Sequence, residues 1–176
     1  MKKACLLTGR PGVGKTTIIK QALDRTSVRA GGFFTEEIRT GGVRQGFRIV
    51  TLDGRSAILS HVDVKSPYRV GKYGVDIEGL DRVGVVALRD AIKECELVVI
   101  DEIGKMELFS PYFRAAVLEA IDSGERVLGT IMLASHPWAG EIKRRPDVAT
   151  ISVTRMNRQQ VLEQVVSWLK SPINGG

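Results

Sequence analysis

The sequence predicts an α/β fold, a mostly parallel β-sheet flanked by helices, in one domain spanning residues 1–176. Three observations predict it. Strand-like and helix-like segments alternate along most of the chain, the pattern that crossover helices impose. Leu97-Val98-Val99-Ile100 is apolar at every position, as in a strand covered on both faces. The first apolar run, Ala4–Thr8, ends at Gly9 in a glycine-rich stretch that opens a helix. A length of 176 residues suits one domain of the usual ~100–200 residues, able to bury about 70% of its unfolded surface.

Ala4–Thr8 reads as the first strand. It follows two lysines, as the apolar part of a signal peptide would, but it stops too soon and fits a buried strand better. Lys15–Arg25 carries Ile18, Ile19, Ala22 and Leu23 on one helical face. Residues 32–61 break the alternation. Phe33–Arg39, Val43–Leu52 and Ser56–His61 read as short strands, separated by Thr40-Gly41-Gly42 and by the hairpin signal Asp53-Gly54. They form a small inserted antiparallel β meander, too small to fold alone and expected to pack on the rest. Leu80–Cys95 returns to helical spacing through Val83, Val86, Ala87, Ala91 and Ile92. Ser110-Pro111 starts a helix with a hydroxyl cap and a first-turn proline, and Gly124 ends it. Arg126–Leu133 and Ala149–Val153 read as strands. Asn157 is placed to cap a last helix that faces inward through Val161, Leu162, Val165, Val166 and Leu169. Pro172–Gly176 reads as a loose tail.

Composition narrows the class. With 43% hydrophobic and 26% charged residues the chain is expected to fold rather than stay disordered. No apolar run approaches the ~20 residues of a membrane helix, so no membrane partner is expected. Cys5 and Cys95 sit beside strand-like runs and read as thiols of a reducing, cytoplasmic compartment, not as a disulfide framework. The net charge of +6 is unevenly placed: residues 25–72 hold 9 basic and 4 acidic side chains, which is +5 of it.

Gly9-Arg10-Pro11-Gly12-Val13-Gly14-Lys15-Thr16 matches G-x-x-x-x-G-K-[ST] in full, and it lies between a strand and a helix as that motif requires. The glycines let main-chain amides turn inward on phosphate oxygens, and the helix N-terminus adds partial positive charge. Lys15 supplies a point charge for the β- and γ-phosphates, Thr16 a hydroxyl for Mg2+, and Thr17 a hydroxyl for the α-phosphate. Arg10 belongs to the loop, but its side chain is expected to point outward.

Leu97-Val98-Val99-Ile100-Asp101-Glu102 delivers two acids at the carboxyl end of a buried strand, where open α/β sheets bind ligands. Asp101 is expected to hold Mg2+ with Thr16, and Glu102 to orient or deprotonate a water for attack on the γ-phosphate. Lys105 follows closely as a charge for that phosphate, and Glu107 as a further polar group. A polar side chain at the end of the next strand, Thr130 or Ser135, can sense the γ-phosphate, while His136 reads as a turn residue. Lys143-Arg144-Arg145 resembles a basic lid. Arg155 is placed to stack on a base through its planar guanidinium.

With these motifs the chain resembles the small P-loop nucleoside-triphosphatase family of thermophilic archaea and bacteria, which has a vertebrate relative, the cancer-related nucleoside triphosphatase. The resemblance rests on residues 8–17, on Gly32-Phe33-Phe34-Thr35-Glu36-Glu37-Ile38-Arg39, on Arg44-Gln45-Gly46-Phe47 and on Gly71-Lys72-Tyr73-Gly74-Val75-Asp76. It rests above all on Val99-Ile100-Asp101-Glu102-Ile103-Gly104-Lys105-Met106-Glu107-Leu108, and ends with Thr154-Arg155-Met156-Asn157-Arg158. It implies a RecA-like sheet with a further strand between the two motif strands. It also implies slow, Mg2+-dependent hydrolysis of ATP, GTP and other nucleoside triphosphates to diphosphate and phosphate.

Two other readings follow from the residues. A small-molecule kinase would use the basic segment as a lid and exclude water. A nucleic-acid-binding switch would use the meander, where Phe33, Phe34, Phe47, Tyr68 and Tyr73 alternate with Arg39, Arg44, Arg48, Arg55, Arg69 and Lys72. The simpler reading puts those aromatics inside and the arginines in water, so the substrate is a nucleoside triphosphate, nucleic acid is not favoured, and a monomer is the default.

Overall fold

Every residue of the first strand, β1 (Ala4–Thr8), is buried in the computed structural model, which describes residues 2–172. The expected tail therefore lies, beyond Pro172, outside the described residues. After β1 come α1 (Lys15–Asp24), β2 (Ala30–Thr40), β3 (Val43–Thr51), β4 (Ser56–His61), β5 (Arg69–Val70) and β6 (Tyr73–Val75). Then α2 (Ile77–Gly79) runs through a π-helical turn (Leu80–Val85) into α3 (Val86–Glu94). The chain continues with β7 (Leu97–Ile103), a 3-10 turn (Glu107–Phe109), α4 (Pro111–Asp122), β8 (Arg126–Ile131), α5 (Pro137–Lys143), β9 (Val148–Ser152) and α6 (Arg158–Lys170).

The strands form one sheet in the order β5-β6-β4-β3-β2-β7-β8-β1-β9. From β2 to β9 neighbours run parallel, and from β2 to β5 they run antiparallel. The strand β8 lies between β1 and β7, as the RecA-like expectation requires. The alternation of side chains along buried strands sorts the core into two layers. Ala4 and Leu6 of β1, Val98 and Ile100 of β7 and Val127 of β8 pack with Leu88 of α3 and Phe113 and Val117 of α4. Cys5, Leu7, Leu97, Val99 and Leu128 point the other way, onto Ile18 and Ile19 of α1 and Val161 and Val165 of α6. Each fully buried Leu or Ile here stabilises by about 1.5–3 kcal/mol.

The meander differs from the expectation in one respect. It does not pack on the sheet; it extends it. Residues Ala30–Phe33 of β2 pair parallel with β7, and from Phe33 on the same strand pairs antiparallel with β3. An eleven-residue strand is long enough to carry both partners. The short strands β5 and β6 then complete the edge.

Helix ends follow the expected chemistry with two exceptions. Ser110 caps α4, its Oγ accepting from Phe113 N at 3.0 Å and donating to Asp81. His136 is more than a turn residue: its Nδ1 accepts from Trp138 N at 3.2 Å and Ala139 N at 3.5 Å, and so caps α5. Asn157 stands at the start of α6 but its side chain does not cap it. The amide instead clasps the preceding loop, Oδ1 accepting from Thr154 N at 2.7 Å and Nδ2 donating to Ser152 O at 2.9 Å.

Candidate active site

The site lies at the carboxyl ends of β1 and β7, built on the loop between β1 and α1. Gly9, Gly12 and Gly14 all have positive φ, so the chain can wrap around a small volume that side chains would fill. Gly9 is the tightest: a Cβ there would lie 2.6 Å from the Val153 carbonyl oxygen. Gly14 occupies the N-cap of α1 in the left-handed region, and no side chain caps that helix. The amides of the first turn are therefore available to an anion. Lys15 folds back over the loop, Nζ donating to the Gly9 carbonyl. Arg10, Pro11 and Thr17 are exposed, and Val13 packs partly into the α1–α6 layer.

Asp101 links four elements. Thr16 Oγ1, from α1, donates to its Oδ2 at 2.6 Å, and Thr130 Oγ1, from β8, donates to its Oδ1 at 2.7 Å. Thr35 Oγ1, from β2, donates to its main-chain oxygen at 2.7 Å. The pairing of β7 with β8 shifts register between Ile100 and Ile103, and both acids stand within that irregularity. Such shifts re-aim side chains at functional strand ends. Burial raises the Asp101 carboxyl above the usual carboxylate range, against the pull of the two threonine hydroxyls and Lys15.

Two more carboxylates lie behind Asp101. Glu102 is half-buried, and its carboxyl is raised by burial and by Asp101, opposed by Lys15. Glu107, at the start of the 3-10 turn, is only 3% exposed. Burial, with the charge of Glu102 next, raises its carboxyl well above the ordinary value. A Cβ on Gly104 would fall 2.5 Å from Glu102 Oε1 and 2.9 Å from Glu107 Oε2, so both acids crowd one side of that glycine. Lys105 stands in the intervening turn with an exposed side chain.

An open cleft of roughly 530 Å³ runs from Gly9–Val13 to Ser152–Arg155, with Leu133 also lining it. Arg155 thus lines the cavity next to the phosphate loop, held there by the Asn157 clasp. Arg158 approaches the same loop from the start of α6, its Cδ and Nη1 each 3.7 Å from the Cβ position of Gly14.

Other expected residues are engaged elsewhere. Ser135 is exposed in the turn before α5, and Thr130 is buried against Asp101. In the basic segment, Lys143 Nζ donates to Met132 O at 2.7 Å, and Arg145 is paired with Asp122 at 2.5 Å and Asp147 at 2.8 Å. Those two cations anchor the end of α5, so Arg144 is the one exposed cation of that segment. In the meander, Phe33 is fully buried and Phe47 packs edge-on against Tyr73 with ring centroids 5.7 Å apart. Arg44 lies over both rings and donates to the Tyr73 hydroxyl at 2.9 Å. Arg39 and Arg44 share Glu37, and Arg55 meets Asp53 and Asp90. Phe33, Phe47 and Tyr73 thus belong to the core and its rim, while Tyr68 stands exposed beside Phe109.

Sequence reasoning missed Thr35 and Gly104 as parts of the site, although both stand in the two most specific motif blocks. It also gave Arg158 no role.

The NTPase family model matches residues 4–166. The chain is 50% identical, over 94% of each chain, to the nucleoside-triphosphatase THEP1 of Thermotoga sp. strain RQ2. It is 41% identical to the human cancer-related nucleoside-triphosphatase, covering 97% of this chain and 98% of that one. Among solved structures it is similar to the crystal structure of THEP1 from the hyperthermophile Aquifex aeolicus, with a TM-score of 0.87 at 39% identity over 96% of this chain and 99% of that one. The solution structure of the human cancer-related nucleoside triphosphatase superposes with a TM-score of 0.81 at 40% identity, over 97% and 98% of the two chains. The phosphate loop joined to a strand-end Asp-Glu pair, the RecA-like strand order and this agreement along nearly the whole length lead to one conclusion: the chain belongs to the NTPase family, together with the THEP1 nucleoside-triphosphatases.

Proposed function

We propose that this protein hydrolyses nucleoside 5′-triphosphates, ATP and GTP among them, to the diphosphate and phosphate with Mg2+. The observation that carries this reading is the Thr16–Asp101 contact at 2.6 Å, which ties the start of α1, directly after the phosphate loop, to the acid end of β7. The names of the relatives support the same class of reaction.

In this reading the main-chain amides of Gly12, Val13 and Gly14 and the side chain of Lys15 bind the polyphosphate, and Arg155 stacks on the base in the adjoining cleft. Thr16 and Asp101 offer one hydroxyl and one carboxylate, the hard oxygen donors that Mg2+ takes in small number beside phosphates and water. These two residues would hold the ion, which when bound neutralises charge on the β- and γ-phosphate oxygens. Thr130 keeps the second Asp101 oxygen occupied and so fixes the carboxylate. Glu102 accepts a proton from the water whose oxygen bonds to the γ-phosphorus, while the bond to the β–γ bridging oxygen breaks and the diphosphate leaves. Its raised pKa suits a base that must take that proton near neutral pH. In the same reading Lys105, exposed on the turn after β7, adds positive charge beside the departing phosphate.

The test is multi-turnover phosphate release from the common nucleoside triphosphates, with and without RNA, DNA and hydroxylic acceptors. Glu102→Gln should keep nucleotide binding and lose about 10²–10⁴ in turnover. Lys15→Ala should lose binding. Full turnover by Glu102→Gln removes Glu102 from the reaction, and label passing to an acceptor makes the protein a kinase.

A further inference from the structure

Arg158 is the first residue of α6 and follows directly on the loop that carries Arg155. Its guanidinium lies against Gly14, the last glycine of the phosphate loop, with Nη1 3.7 Å from the Cβ position there. The base of this side chain is rigidly placed. Ile18, Ile19 and Ala22 of α1 share one buried cluster with Val161, Leu162 and Val165 of α6. Further along the same helix pair, Arg25 forks onto Glu163 at 2.6 and 3.0 Å. The Asn157 clasp fixes the chain just before it. The tip, by contrast, is uncommitted: among the described residues Arg158 makes no hydrogen bond or ion pair, whereas Arg25 and Arg145 both do. An arginine held at its root, exposed at its fork and set against an uncapped helix N-terminus is suited to bidentate contact with phosphate oxygens.

We propose that Arg158 is a phosphate-binding residue of this site, a second cation beside Lys15 that takes the α/β end of the bound polyphosphate. Lys15 serves the β/γ end, and Arg158 stands beside the glycine whose neighbouring amides face the α/β end. The assignment rests on the triphosphatase reading above.

The experiment is isothermal titration of the wild type and of Arg158→Ala, Arg158→Gln and Arg158→Lys with ADP and with inorganic pyrophosphate, and competition by adenosine. Affinity for ADP and pyrophosphate should fall about tenfold in the Ala and Gln variants, the loss of one charge-assisted contact. Arg158→Lys, which keeps the charge but not the fork, should recover only part of it, and adenosine should bind all four proteins alike. Wild-type affinity for pyrophosphate in Arg158→Gln overturns the assignment while leaving the triphosphatase reading intact. An equal loss for adenosine also overturns it, since the contact is then with the nucleoside. If the wild type binds neither ADP nor pyrophosphate, both fall.

Discussion

Glu107→Gln should stabilise the ligand-free protein, and only above the pH at which a free glutamate gives up its proton. Glu107 is 3% exposed and lies beside Glu102 on one side of Gly104, so folding carries a carboxyl group out of water next to a second one. An unhindered glutamate titrates near 4.5, and here burial, with Glu102, raises it well above that. Between the two pKa values the folded chain binds a proton that the unfolded chain does not. The stability is complete below about pH 4.5 and declines as pH rises, by about 1.4 kcal/mol per unit, until the folded group ionises. A proton kept as far as pH 7 spans roughly 2.5 units, which caps the cost at about 3 kcal/mol. Glutamine has the same shape and needs no proton. The variant should match the wild type near pH 4.5 and exceed it by up to about 3 kcal/mol near pH 7, on the order of 10 °C in Tm for a chain of this size. Asp101 remains in both proteins, and Glu102, whose charge acts on Glu107, titrates together with it, so the difference reports the pair. Urea and thermal unfolding, followed by circular dichroism across that pH range without nucleotide, measure it. A difference that does not change with pH, or a Glu107→Gln protein less stable than wild type near neutrality, would refute the reasoning.

Thr130→Val keeps the shape of the side chain but removes the hydroxyl that donates to Asp101 Oδ1. It should cost about 1.5–3 kcal/mol in urea unfolding and lower turnover together, and wild-type values of both would mean that the carboxylate needs no second donor. Gly9→Ala places a methyl group 2.6 Å from Val153 O, where Val153 N also bonds Thr8 O at 2.8 Å, so neither strand can yield easily. Titration with a fluorescent nucleotide should show binding lost, and retained affinity would mean that the loop accommodates the methyl group. Burial pushes the Cys5 thiol up to about 12, so with Ellman's reagent it should react only at the rate of unfolding, after the half-buried Cys95.

Much of the fold was legible because its rules are local. An apolar run, a glycine-rich turn and a helical period identify β1, the phosphate loop and α1 within twenty-five residues. The hairpin signals placed β2, β3 and β4 within about three residues of their ends. The two-residue strand β5 and three-residue β6 were missed because so few positions show no period. The end of α5 reads as a basic lid in the sequence because the partners of Lys143 and Arg145 stand just past β8, on α4 and on the approach to β9.

The order of residues alone supplies the chemistry on offer: a phosphate loop with its lysine and threonine, and an Asp-Glu pair at the end of a buried strand. Each is a contiguous motif whose geometry follows from its own backbone. How those groups are held depends on contacts between distant parts of the chain. Asp101 takes its hydroxyl donors from Thr16, Thr35 and Thr130, which are 85, 66 and 29 residues away in the chain. Glu107 is an ordinary polar residue in the sequence and a buried acid in the fold, where it lies beside Glu102 against Gly104. Arg158 meets Gly14 only because α1 and α6 pack side by side. Such contacts depend on how the sheet orders its strands and helices, and no local period encodes that order.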